Sequence, residues 1–144
     1  MKNNISVIDR YIKTFNESGF VVIKKLINLR DMKKFEIEVE KIKSILIKKY
    51  KPPFVNLTKD CKVNTAHNLD KIFTKSILLN IKKNLILNKF IKKLFNEEFI
   101  IRNLEIFAKP PKTGMAAPFH QDNFYWNVAD ERAVNVWLSM DKVN

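Results

Sequence analysis

Ala117-Pro118-Phe119-His120-Gln121-Asp122-Asn123-Phe124-Tyr125-Trp126 decides how the rest of this chain is read. An imidazole and a carboxylate stand two positions apart in it, and a run of aromatic side chains follows. In an extended segment side chains alternate between faces, so His120 and Asp122 point the same way, about 6.6 Å apart at the rise of two strand residues. Ligand bonds to an iron- or zinc-like cation are about 2.0–2.2 Å long, so the two side chains can converge on one ion. A neutral imidazole with a hard carboxylate is the start of the facial set of two His and one carboxylate, which leaves open positions on Fe(II). Gln121 points the other way, toward backbone or the ligands' surroundings rather than the ion. The same spacing is also what a partly exposed loop at a strand end would show.

The flanks narrow the choice. From Phe107 the chain reads Phe-Ala-Lys-Pro-Pro-Lys-Thr-Gly-Met before the decapeptide, and from Val134 it reads Val-Asn-Val-Trp-Leu-Ser-Met-Asp. With its Lys-Pro-Pro turn, Gly114 ahead of the ligand segment, His-Gln-Asp followed by aromatics, and a later strand bearing Trp137, this part of the chain resembles the phytanoyl-CoA dioxygenase family of Fe(II)/2-oxoglutarate oxygenases.

The resemblance implies an α+β fold in which N-terminal helices pack on a double-stranded β-helix, a jelly-roll or cupin-like barrel. Residues 1–98 are then the helix-rich part with one short strand, and 99–144 the first strands of the barrel. It implies Fe(II) held by His120, Asp122 and a later His, with 2-oxoglutarate as co-substrate. Trp137 matches the family's tryptophan beside the oxoglutarate, and Glu105, Gln121 and His67 fall where polar contacts to that co-substrate are expected. The implied reaction is hydroxylation of a small organic or acyl-CoA-like substrate. Halogenating members replace the metal carboxylate by a small residue, so Asp122 points to hydroxylation. In the family the second metal His and an Arg that holds the oxoglutarate follow the strand bearing Trp137, whereas His67 precedes it. The barrel is therefore expected to be incomplete here, the chain being an N-terminal fragment of an oxygenase. A non-catalytic fragment and a basic binding module are the rival readings.

Of 144 residues 46% are hydrophobic, enough for one domain's core. The formal charge of +12 would by itself suggest a polyanion partner. The excess is almost all Lys, however, while phosphate and base recognition favour Arg forks. Nucleic acid is not the expected partner. Cys61 is the sole cysteine, so no internal disulfide forms, which fits the cytoplasm. The opening residues have no apolar signal segment, and the apolar runs are far short of a membrane span.

Along the chain, Ser6 and Asp9 form a capping pair for a helix over about 7–18, with Ile8, Tyr11, Ile12 and Phe15 on one face and Gly19 to end it. Phe20-Val21-Val22-Ile23 reads as a short buried strand. Asn28 and Asp31 cap a second helix with Met32, Phe35, Val39, Ile42 and Leu46 as its apolar stripe, ended by Pro52-Pro53. An irregular stretch to about Asp70 holds His67, read as a loop histidine bonded locally, while the resemblance implies that His67 or Asn64 lies near the oxoglutarate. The pattern predicts a weak helix over 71–79, a stronger one over 84–95, and a long strand over 99–108. On that strand Asn103 and Glu105 are polar positions, read either as a salt bridge or edge, or as a wall of the cavity. Gly114 serves a conformation other residues resist. Phe124, Tyr125 and Trp126 either cap the core or shape a substrate entrance. Val134–Met140 reads as the last strand, with Asn135, Trp137 and Ser139 sharing a face.

Overall fold

The computed structural model of the chain describes residues 6–130 and 132–141. The Ser6 side chain accepts a hydrogen bond from the Asp9 amide at 3.1 Å and so starts α1 (Val7–Ser18). Gly19, at φ 76°, ends it by donating its N–H to the Phe15 carbonyl. The expected apolar face of α1 lies on α4 (Leu85–Phe95), where Leu87, Phe90 and Ile91 are buried. Phe15 and Phe90 meet edge to face, their ring centres 6.1 Å apart. Asn84 caps α4 through the amides of Ile86 and Leu87, and its own amide reaches the Leu26 carbonyl at 3.1 Å.

The strand expected at Phe20–Ile23 does not form. Its alternation survives, because Val21 and Ile23 pack against the α4 cluster while Phe20 and Val22 are each 65% exposed. No described segment runs beside it to take its backbone groups, so it remains unpaired extended chain.

Asn28 starts α2 (Leu29–Lys49), accepting from the Asp31 amide at 2.9 Å. Phe35, Ile42 and Leu46 from its stripe are buried in the larger core with Val55, Val63, Ala66, Leu69, Leu78 and Ile106. Its outer face carries ion pairs at i,i+3, among them Lys33–Glu36 and Lys34–Asp31 at 2.9 Å and Lys43–Glu40 at 2.7 Å. Exposed pairs of this kind add little stability.

The stretch read as irregular holds a hairpin, β1 (Val55–Leu57) and β2 (Val63–Ala66), antiparallel with a register shift between Asn56 and Leu57. The turn lacks the usual Asn-Gly or Asp-Gly signal. Thr58, a buried residue, organises it instead: its amide donates to the Lys62 carbonyl at 2.8 Å, and its side-chain oxygen accepts the Lys62 amide at 3.1 Å. Cys61 takes the left-handed conformation there, at φ 59°. The weak helix expected over 71–79 resolves into α3 (Leu69–Ile72) and a 3-10 helix (Ile77–Lys83).

The long strand expected over 99–108 is reduced to β3 (Ile106–Phe107), antiparallel to β2 and completing a sheet of order β1-β2-β3. The reason lies in Leu104, whose carbonyl accepts the Leu69 amide at 2.9 Å while its own amide goes to the Asp70 carboxylate at 3.1 Å. Both backbone groups are thereby spent on α3 instead of on a neighbouring strand. Burial works against the charge on Asp70, but the Leu104 amide and the Lys82 ammonium at 3.2 Å outweigh it and hold the carboxyl below the ordinary carboxylate range. No strand forms over 134–140 among the described residues; the three antiparallel strands do not show a jelly-roll barrel, though so small a sheet is compatible with the incomplete one expected. No described helix is long and apolar enough to cross a membrane.

Candidate metal centre

The chain leaves β3 through a turn that Asn64 anchors from within β2. The Asn64 carbonyl accepts the Ala108 and Lys109 amides at 2.9 and 3.3 Å, and its buried side-chain oxygen accepts the Met115 amide at 2.8 Å. Lys109 and Lys112 take the positive φ values of this turn, 38° and 66°. Gly114 is required by space rather than by conformation: a Cβ there would lie 2.9 Å from the Pro110 carbonyl oxygen.

Beyond it, His120 and Asp122 converge, though not by the strand alternation expected. Asp122 has helical backbone angles and opens the short α5 (Asn123–Trp126), its carbonyl accepting the Tyr125 and Trp126 amides at 2.9 and 3.1 Å. Asn123 closes the turn by exchanging hydrogen bonds with the Val128 backbone. The outcome is a His120 Nε2 to Asp122 Oδ1 separation of 3.1 Å. Two ligands of one ion, each about 2.1 Å from it and at right angles, stand about 3.0 Å apart, so the pair has the spacing of adjacent ligands.

The remaining atoms of the pair are also committed. His120 Nδ1 is 2.7 Å from the Pro118 carbonyl oxygen, which can only accept, so Nδ1 carries the proton. In the neutral ring Nε2 then turns a lone pair toward a carboxylate oxygen. A second ring proton or a cation between them satisfies both. A histidine held by a backbone carbonyl on the nitrogen away from the ion is the usual arrangement of a metal ligand. Asp122 Oδ2 accepts the side-chain amide of Asn135. Tyr125 stands edge-on to the imidazole, ring centres 5.5 Å apart, and Phe124 stands edge-on to Tyr125. Phe124 and Tyr125 are exposed, so of the two expected roles the core cap is not the one they fill.

The other expected site residues fall into a second group and two isolated positions. His67 and Glu105 continue the β2–β3 register of Ala66 with Ile106, which sets them opposite one another, with Nδ1 3.3 Å from Oε2. Phe107 meets the His67 ring edge-on at 6.0 Å. The salt-bridge reading of Glu105 is thus the one realised in geometry, and His67 is its partner rather than a third neighbour of His120. Gln121 is exposed, and Trp137 is 82% exposed. Among the described residues no three His, Cys, Asp or Glu side chains gather into a metal-binding group, so this chain brings a two-ligand edge and not a closed site. Asn135 and the Pro118 carbonyl were not singled out by motif. The one trace of Asn135 in the sequence is its place on the same strand face as Trp137.

The body is α+β, and its partly exposed His120 and Asp122 side chains lie at ion-pair distance. A family model described as phytanoyl-CoA dioxygenase matches residues 15–144, and the chain belongs to that family. Its members are in general Fe(II)- and 2-oxoglutarate-dependent oxygenases acting on small molecules of the acyl-CoA kind. No curated protein and no solved structure matches the chain.

Proposed function

We propose that the chain is the iron-binding part of an Fe(II)- and 2-oxoglutarate-dependent dioxygenase that hydroxylates a small organic or acyl-CoA-like substrate. The observation that carries this reading is the 3.1 Å approach of His120 Nε2 to Asp122 Oδ1, with the outer atoms of both side chains already bonded to protein. His120 and Asp122 would supply two of the ligands to the iron. The bound iron and oxoglutarate supply the oxidising power for C–H hydroxylation.

The chain's own residues position and shield. Trp137, exposed here, would offer an apolar surface beside a bound ion. Glu105, with His67 Nδ1 3.3 Å from its carboxylate, is assigned to the oxoglutarate side, and Gln121 faces away from the ion. Phe124, Tyr125 and Trp126 shape the entrance, where aromatic bodies with polar tips suit an amphipathic substrate. In this reading β1, β2 and β3 belong to the wall of an incomplete jelly-roll barrel.

Anaerobic titration with Fe(II) and oxoglutarate tests the reading. In this chain alone, weak Fe(II) binding that needs both side chains is expected. Equal Fe(II) binding by wild type and both variants would sink the proposal. A steep fall of nucleic-acid affinity with salt would favour a basic binding module instead.

A further inference from the structure

Asn135 touches the metal pair from a part of the chain that carries no ligand. We infer that Asn135 is the positioning residue of the Asp122 carboxylate: its amide occupies Oδ2 and so presents Oδ1 to the ion beside His120 Nε2. This rests on the metal reading above.

A carboxylate on an exposed turn has two equivalent oxygens and rotates freely about its last bond. Asp122 is the residue before α5, and no side-chain capping bond of its own ties it to that turn. The protein contacts on its carboxylate are Asn135 on one oxygen and His120 on the other. An amide N–H can only donate, so Asn135 is neutral toward the ion and cannot compete as a ligand through that nitrogen. It selects which oxygen faces the imidazole and makes the rotation costly, as carboxylates that ligate metals are themselves hydrogen-bonded. A second consequence follows from the chain path. Asn135 lies in the run that carries Trp137 two residues on, and the Asn135–Asp122 bond fixes that run beside the metal pair.

Co(II) serves as a probe of the chain as it stands, because its visible bands report ligand type and symmetry. Affinity is read by titration for wild type, Asp122→Ala, Asn135→Leu and Asn135→Gln. Leucine keeps the size of asparagine and removes the donor, while glutamine restores the donor on a longer arm. The expected result is loss of specific binding in Asp122→Ala, a 10- to 100-fold weaker affinity with altered bands in Asn135→Leu, on the order found when such supporting groups are removed, and partial recovery in Asn135→Gln. Asn135 is exposed, so the thermal midpoint of Asn135→Leu should match wild type, and an unmoved midpoint with weakened Co(II) binding separates positioning from a folding defect. Asn135→Leu binding Co(II) as tightly as wild type, while Asp122→Ala does not, overturns the inference and leaves the metal reading standing. Wild type and Asp122→Ala binding alike overturns both.

Discussion

The chain up to Ile106 and the chain beyond it are built by different rules. Every buried hydrophobic side chain lies in the first part, in two clusters centred on α2 with the sheet and on α4 with α1. Among the described residues after Ile106 none is buried. That second part nevertheless holds His120, Asp122 and Asn135. It is attached largely by polar links: Asn64 to Met115, Arg132 to Glu97 near the end of α4, and the lighter packing of Leu138 and Met140 on the larger core. The difference separates what keeps the molecule folded from the segment to which the proposed chemistry is assigned.

Substitutions can break that separation or sharpen it. The largest effect is expected from Leu46→Ala, which empties a fully buried position and should cost about 2–5 kcal/mol in denaturant unfolding. A loss under about 1 kcal/mol would mean that the first part is not where stability resides. Asp70→Asn should cost about 1.5–3 kcal/mol at neutral pH, since hydrogen bonds to a charged group are lost at a side chain only 14% exposed. The sign of its pH dependence follows from a carboxyl pKa that is lowered in the folded state. The Asp70 contribution is present above the ordinary carboxylate value, about 4, and is lost as pH falls through the lower folded value. Wild type should therefore lose stability on acidification below about pH 4 more steeply than Asp70→Asn, as read from midpoints measured across that range.

Asn64→Ala tests the link between the two parts. It leaves the Met115 amide without its acceptor and should cost about 1–2 kcal/mol. It should also weaken Co(II) binding, although Asn64 touches neither ligand. Full stability loss with unchanged binding would show that the turn does not hold the ligand segment in place. The smallest stability effect is expected from His120→Ala, within about 0.5 kcal/mol of wild type by thermal unfolding, as for other exposed sites. Specific Co(II) binding should nevertheless disappear. A marked drop in midpoint would show that the metal pair itself supports the fold.

How far these features could be read in advance differs by element. The α1 and α2 starts were legible because Ser6 with Asp9 and Asn28 with Asp31 act within one turn, where no distant partner intervenes. The β1–β2 hairpin was hidden because Thr58 and a left-handed Cys61 do what Gly usually does. The run from Phe99 looked like a long strand on its apolar content, yet Asp70 and Leu69 claim the backbone of Leu104. At the candidate site the spacing of His120 and Asp122 was visible as a motif. Their convergence came through a helical turn rather than an extended segment, and the pairing of His67 with Glu105 depended on the β2–β3 register.

By itself the sequence determined α1, α2 and α4 with their apolar faces, the presence of a turn at Gly114, and the His–carboxylate motif. Each of these depends on groups within a few residues of one another. Tertiary structure alone decided which extended segments found a strand partner, that Asn64 holds the ligand segment and that Asn135 reaches Asp122. Those outcomes depend on hydrogen-bonding groups brought together from distant parts of the chain, and an unpaired polar group in sequence does not say which of many acceptors or donors will meet it.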